Sequence, residues 1–463
     1  MHPDLQDHLV VIDMYFKYVI LGLALFAMPV VPVHAQTNAD DISELRRLVA
    51  EMKADYEARI GELESRLARA ERMARGAERD ADEAIELAEQ TAIDLSGSAT
   101  AANTFNPSIG VIIGGHYADV GRGWEEIPGF QPGGEIGSGE TGFALGEAEL
   151  NFKANIDSKF YGNATLGLHD HEGAVEVELE EAWLQTTELP LGATIQAGRF
   201  FSAAGYLNGF HFHTDDFVDR PLPYQAFLGN RYSVDGVRAR WVAPTSLLVE
   251  LGTELDWGGS FPATANAHTS PGAVTLFANL GGDVGDSHSW QLGISHTETD
   301  AVERGTGHEH EGEEIAEMFT GDSDLTVVDL VWKWAPQGNS SITSFKLQGE
   351  YFRREEKGLF ADLAYDGDQD GWYLQGVWQF MPLWRAGIRH DRVSTDNGAG
   401  MAGTELEDPG RSAYRNSMML DWSPSEYSRL RLQYTNDKVF AESDSQWYLQ
   451  YLMSIGAHGA HQF

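Results

Sequence analysis

The sequence predicts an all-β fold: a closed, antiparallel transmembrane β-barrel of roughly 16 strands, preceded by an N-terminal α-helical coiled coil. Three patterns carry this expectation. First, the end of the chain alternates. Trp447, Leu449, Tyr451, Met453, Ile455 and Ala457 form one apolar row, while Tyr448, Gln450, Leu452, Ser454 and Gly456 form a smaller or more polar one. A period of two marks a strand with one apolar face, and the chain then closes on the aromatic Phe463. Second, patterns of about ten residues recur from residue 107 onward, the length a tilted strand needs to cross a bilayer. Third, short turns alternate with long, polar, Gly-rich loops, as they do in a barrel with one periplasmic and one exterior end.

The elements follow in order. Residues 1–35 read as a secretory signal: Lys17 precedes an apolar run through Val19, Leu21, Leu25 and Phe26, and Val33-His34-Ala35 is a small-x-small cleavage site. A membrane anchor is the competing interpretation, but Pro29 and Pro32 shorten the run. Met14 is an alternative start, because Asp4, Asp7 and Asp13 do not suit the leading part of a signal. Residues 40–93 carry a heptad seam. It runs Ile42, Leu45, Val49, Met52, Tyr56, then Ile60, Leu63, Leu67, Ala70 and on through Ala88, with one stutter after Tyr56. A helix of about 50 residues reaches roughly 75 Å and cannot bury such a seam alone, so self-association is expected. Residues 94–106 are small and polar and read as a linker.

Residues 107–463 hold the strands. In 147–156, Ala148, Leu150, Phe152 and Ala154 face one way and Glu147, Glu149, Asn151 and Lys153 the other. In 247–257, Leu251, Leu255 and Trp257 oppose Glu250, Glu254 and Asp256; in 428–435, Leu430, Leu432 and Tyr434 oppose Arg429, Arg431 and Gln433. Further strands centre on Ile112, Leu166, Leu184, Ile195, Ala239, Leu276, Leu292, Leu330, Leu347, Leu374, Ile388 and Leu420. Adjacent Glu180 and Glu181 leave the register of their strand open. Residues 119–140, 258–271, 300–322, 355–369 and 394–412 read as long exterior loops.

Composition excludes several functions. Lys and Arg total 32 against 71 Asp and Glu, a formal net charge of -39, which argues against nucleic acid as a partner. The chain has no Cys, in keeping with an oxidising compartment. Its mean hydropathy of -0.32 does not exclude a membrane barrel, whose polar lumen and loops dilute the apolar band. No Ser-His-Asp spacing, Gly-rich phosphate loop or His-Glu-x-x-His helix stands in the sequence, so no enzymatic activity is expected. About 355 residues beyond the linker cannot supply a 22-stranded barrel and its plug.

The barrel size, the strand end Ala197-Gly198-Arg199-Phe200 and the terminal strand resemble the phosphate-selective porin O and P group of bacterial outer-membrane porins. The Lys and Arg rows of that group's lumen are missing here, so phosphate selectivity is not carried across. The coiled coil ahead of a barrel is similar to sucrose-type porins and to a proteobacterial porin group associated with zinc acquisition. The resemblance implies a channel in the outer membrane with its helix in the periplasm. It also implies lipid and copies of itself, as a trimer, as partners, and the barrel-assembly machinery as the reader of Phe463.

Residues 201–232 are the most distinctive: aromatic, not cleanly alternating, and placed where a porin's constricting loop folds into the lumen. His211 and His213 share one side of an extended chain, with Asp215 and Asp216 beside them, a ligand set suited to Zn²⁺. His308 and His310, in Gly307-His308-Glu309-His310-Glu311, offer a second cation-capturing segment. The lumen is expected to be lined by Glu147, Glu149, Glu250, Glu254 and Asp256, with Arg429 and Arg431 opposing them, and carboxylate rows favour cations. No cofactor is required, Zn²⁺ being a transported or weakly bound ion. The expected function is a cation-preferring diffusion channel, narrowed to divalent metal such as zinc. The alternatives are a closed metal receptor and a structural tether whose coiled coil contacts the cell wall.

Overall fold

The computed structural model describes residues 107–456, apart from residue 135 and the stretches 172–173, 264–269 and 306–316. The signal, the coiled coil, the linker, His308, His310 and Phe463 therefore lie outside the described residues. Sixteen strands form one closed antiparallel barrel in which every strand pairs with its sequence neighbours and the first pairs with the last. In order these are β1 (Ser108–Asp119), β2 (Gly142–Asn155), β3 (Phe160–His171), β4 (Ala174–Thr186), β5 (Ala193–Phe201), β6 (Ser233–Val242), β7 (Leu248–Asp256) and β8 (Ala273–Val284). They continue as β9 (His288–Arg304), β10 (Phe319–Trp334), β11 (Ser344–Phe360), β12 (Leu363–Met381), β13 (Trp384–Asp396), β14 (Ala413–Ser425), β15 (Ser428–Lys438) and β16 (Asp444–Gly456). Each expected strand centre falls within one of them.

Alternation explains the two surfaces. On β15 the outward Leu430 and Leu432 are 41% and 44% exposed, while the intervening Arg429, Arg431 and Gln433 are buried. Leu374, Ile388, Met418, Leu449 and Met453 continue the apolar exterior on neighbouring strands. Exposed Trp241, Trp378, Trp422 and Tyr427 ring the short-turn end, and Tyr117, Phe143, Trp257 and Trp447 stand toward the other. An apolar band between aromatic girdles is what a barrel facing hydrocarbon presents. Among the described residues no helix is long and apolar enough to cross a membrane.

One expected exterior loop is not a loop. Residues 355–369 belong to β11 and β12, which pair continuously from Phe360↔Leu363 down the hairpin. Ala361 and Asp362 alone turn the chain, with φ of 47° and 63°, the left-handed pair of a type I′ connection. Charged residues there (Glu355, Glu356, Asp366, Asp368) obscured a strand that runs beyond the apolar band. Similarly, residues 300–304 and 319–322 of the expected 300–322 loop are strand.

Candidate functional site: the segment folded into the lumen

The connection from β5 to β6, residues 202–232, turns inward and fills the middle of the barrel. Its neck is closed by Asn208, which donates to the carbonyls of Ser202 (2.8 Å) and Tyr232 (2.9 Å) and accepts from the Tyr232 amide (2.9 Å). A seven-residue helix, α1 (Leu222–Leu228), is wholly buried, and the Asp391 carboxylate accepts the Leu222 amide at 2.9 Å. Phe227 of α1 stacks on Phe352 of β11 at 5.8 Å, and Phe130, from the β1–β2 loop, meets Phe227 edge-on at 5.6 Å. Gly137 of that same loop has φ of 115°, where an added Cβ would lie 1.8 Å from the Trp124 carbonyl oxygen, and its amide donates to Gln225 Oε1 at 2.9 Å. The lumen thus holds a small apolar core of its own, at Leu325, Val327, Phe352, Tyr373 and Val393 of β10–β13.

Charged residues of the wall anchor the segment. Glu254 accepts from Ser202 Oγ (2.6 Å) and the Ala203 amide (2.9 Å), and Asp256 accepts from Tyr232 Oη (2.8 Å). Glu350 accepts the Tyr206 and Leu207 amides (2.9 and 3.0 Å) and the hydroxyls of Tyr224 (2.9 Å) and Tyr373 (2.6 Å). Arg429 donates to the His213 carbonyl (2.5 Å) and Arg431 to the Asp215 carbonyl (2.7 Å). Asp219 pairs with Arg389 (3.1 Å) and Arg415 (2.7 Å). Burial alone would raise its pKa, yet the two guanidiniums hold it down at about 2.

This arrangement reassigns the expected lumen residues. Glu149, Glu254, Asp256, Arg429 and Arg431 do point inward, but each is at most 3% exposed and lies beneath the segment rather than on an open bore. Glu250 is partly exposed, takes Asn279 Nδ2 at 3.0 Å and stands 3.7 Å from Arg240. Glu147 sits where the β1–β2 register shifts, and its side chain is outside the described part. Nor do the four candidate ligands of the segment converge. Asp215 pairs with Arg220 at 3.0 Å, and Asp216 pairs with Lys346 and with Arg385 at 3.0 Å. Both aspartates are committed to cations.

His211 and His213 do come together, with their rings stacked at 5.6 Å. Their partners are carboxylates of the wall. His211 Nδ1 lies 2.7 Å from Glu149 and 3.3 Å from Glu180, and Nε2 lies 3.1 Å from Glu181; His213 Nδ1 lies 3.4 Å from Glu149. The register left open by sequence explains why two adjacent glutamates reach one ring. Thr165 pairs Glu181 and Leu166 pairs Leu179, so Glu180 is the extra residue of a β-bulge, and a bulge turns consecutive side chains to one face. An ionised carboxylate only accepts, so His211 facing carboxylates at both nitrogens is an imidazolium. Burial would lower its pKa, but the Glu149, Glu180 and Glu181 partners outweigh that and raise it well above the usual value. Ligand atoms of Glu149, His211 and His213 lie within 4.8 Å of one another. A tetrahedral ion with bonds near 2.0–2.1 Å needs ligands about 3.4 Å apart, and His211 would have to release its imidazolium proton to serve as one.

Comparison with known proteins now bears on this architecture. A protein of Aquifex aeolicus (strain VF5), described as uncharacterized, is 30% identical over 394 residues, 78% of this chain and 80% of that one. The chain belongs to the same family as that protein. No family model matches the sequence. Among solved structures, the outer membrane channel DcaP of Acinetobacter baumannii superposes with a TM-score of 0.52 at 11% identity, covering 76% of this chain and 97% of its own. A loop L8 deletion mutant of OmpT, an outer membrane protein of Vibrio cholerae, gives 0.50 at 11%, covering 76% and 99%. At such identities the likeness is one of fold, and this chain shares with these proteins the closed barrel described above.

Proposed function

We propose that the protein is an outer-membrane porin, a diffusion channel for small hydrophilic solutes whose bore is set by the 202–232 segment. The observation that carries this reading is a closed barrel with an apolar exterior whose interior is polar and hollow on both sides of an inward-folded segment. A cavity of about 820 Å³ lies on the long-loop side, against Arg199, Arg220 and Arg231. Two more, of about 700 and 460 Å³, lie toward the short turns on either side of Tyr206 and Phe210. The resemblance to porins and the likeness to DcaP support it. Glu181 and Glu250, on the lining of the smaller turn-side cavity, would give cation preference, and Glu149 with His211 and His213 would favour divalent ions such as Zn²⁺. Assembly as a trimer, insertion through Phe463 and a periplasmic coiled coil complete the proposal.

The test is the reversal potential of the folded protein in a planar bilayer under a salt gradient, with and without Zn²⁺. Stable conductance with cation preference, lowered in the E181Q/E250Q variant, supports the reading; conductance of unchanged selectivity in that variant removes these carboxylates from the filter. Calorimetry of Zn²⁺ against H211A/H213A separates the metal version, which fails if the two proteins bind alike. No conductance from a folded oligomer would favour the tether or the closed receptor.

A further inference from the structure

The smaller turn-side cavity, of about 460 Å³, holds a buried carboxylate that no basic side chain meets. Asp329 of β10 lines this space and is 5% exposed. Its Oδ1 has no hydrogen-bond partner, and among the described residues no Lys, Arg or His forms an ion pair with it. The register explains why. Its neighbour on β9 is Gly293. Its neighbour on β11 is Glu350, a second carboxylate already committed to two amides and two hydroxyls. A Cβ at Gly293 would lie 2.1 Å from Asp329 Oδ2, so the missing side chain gives the carboxylate its place. Two arginines share the lining, but both stand on β6, four strands away from Asp329. Arg238 is held by Glu254 (2.6 Å) and Gln196 (3.1 Å), and Arg240 stands 3.7 Å from Glu250.

The same row continues past the gap. Asn279 of β8 lies opposite Gly293, and Glu250 of β7 lies opposite Asn279. Asn279 donates from Nδ2 to Glu250 (3.0 Å), which leaves its Oδ1 as an acceptor. Gln291, two residues along β9 from Gly293 and on the same face, adds a second amide to the lining, and no side chain among the described residues engages it. One carboxylate oxygen and two amide oxygens around a gap without a side chain are three acceptors. They complement the three N–H donors of a primary ammonium group. Tyr206 and Phe210, their rings 5.0 Å apart, line the cavity as well, and aromatic faces attract organic cations in desolvated sites. A buried charge without a partner is costly, more so beside another carboxylate. A cation that brings its own N–H donors relieves both costs where the wall supplies none.

We propose that this gap binds the primary ammonium group of a small organic amine, held by Asp329 with the amide oxygens of Asn279 and Gln291. The proposal names a solute class for the cation preference argued above and rests on that reading for its part in transport, while equilibrium binding reads the site whether or not the barrel conducts. The experiment is calorimetric titration of the full-length folded protein in detergent with ethylammonium chloride at about pH 8, where an alkylammonium, like a lysine side chain, keeps its proton. Saturable binding, one site per chain, is the expected result. Tetramethylammonium and potassium, which offer no N–H donors, should bind at least tenfold more weakly. D329N keeps the shape and should lose at least tenfold in affinity, while D366N, at the exposed end of β12, should match the unaltered protein. Q291L leaves every ion pair intact and should weaken binding severalfold, which keeps the test open if D329N does not fold. Binding without conductance keeps the site and removes the channel; conductance without saturable ethylammonium binding removes the site and keeps the channel. Equal affinity for potassium, or affinity unchanged in the folded D329N or Q291L variant, also overturns the proposal.

Discussion

Replacing Glu350 by Ala should loosen the neck of the inward segment. Its carboxylate accepts two backbone amides, from Tyr206 and Leu207 at 2.9 and 3.0 Å, and two phenolic hydroxyls, from Tyr224 and Tyr373. The hydroxyls can rotate to other acceptors or to water that enters the vacated space; the amides are fixed by the backbone. Each buried donor left without an acceptor costs about 1–3 kcal/mol, so the two amides together lose about 2–6 kcal/mol. Partial solvation of the new space brings the net figure to roughly 3 kcal/mol. At 1.4 kcal/mol per factor of ten, the locally opened population rises roughly 150-fold. Hydrogen exchange of a peptide covering Tyr206 and Leu207 reads that population directly, and amides of β15 serve as the unaffected reference. E350Q keeps an acceptor and the shape, and should accelerate exchange about tenfold. In planar bilayers the Ala variant should also show a larger or noisier conductance. Exchange at Tyr206 and Leu207 within threefold of the unaltered protein, in a folded E350A barrel, would refute the view that this carboxylate latches the segment.

Other outcomes follow from the same contacts. His211 has a raised folded pKa, so its stabilising contribution is complete below its unfolded value of about 6.5 and is lost as pH rises through the folded value. The stability difference between the unaltered protein and H211Q, from urea midpoints, should therefore shrink as pH rises above about 6.5; a constant gap contradicts the imidazolium assignment. Asp219 is depressed to about 2, so its contribution is present above the unfolded value of about 3.9 and lost as pH falls through the folded one; the D219N variant should show no such acid-side loss. Ile388 is 70% exposed on the outer face of β13, and I388R should destabilise the barrel in lipid by about 2–4 kcal/mol at mid-bilayer depth, measured by unfolding in vesicles. Deleting Glu180 removes the extra residue of the β3–β4 bulge; the His211 clamp should weaken, read as loss of the pH-dependent stability above.

The barrel was legible because its signal is repeated. Period two survives along β2, β7, β15 and β16, where the inward residues are polar and the outward ones apolar, and no single ambiguous strand could alter the reading. The signal faded on β10 and β11. There Leu325, Val327 and Phe352 point inward onto the segment's apolar residues while Val328, Leu330 and Tyr351 point outward, so both faces are apolar. It faded again at 355–369, where strand residues beyond the apolar band are charged on both faces. Within the site, the pair His211 and His213 was visible from local spacing. Their partners were not, because Glu149 and Glu181 lie 62 and 30 residues away from His211 in sequence. Adjacent Glu180 and Glu181 were the one available signal, an interruption of alternation that marks a bulge. Asp215 and Asp216 looked like ligands from proximity alone; the cations that claim them, Lys346 and Arg385, come from β11 and β13.

The charge of the lumen has a physical reason that also limits what the pore can be. A segment placed inside a barrel must satisfy its backbone against inward side chains, since the wall's own amides and carbonyls are consumed by the strand ladders. Carboxylates answer the segment's amides, as Glu254 and Glu350 do, and guanidiniums answer its carbonyls, as Arg429 and Arg431 do. Both signs are therefore needed on the wall, whatever solute passes. Selectivity can arise only from charges beyond that structural requirement, and these are segregated: Glu250 on β7 beside the smaller turn-side cavity, Lys333 on β10 beside the larger. Neutralising a segment-anchoring charge should thus change stability more than selectivity, and neutralising Glu250 or Lys333 the reverse. Measuring urea midpoints and reversal potentials on the same two sets of variants separates the roles, and a uniform loss of both in every variant would dissolve the distinction.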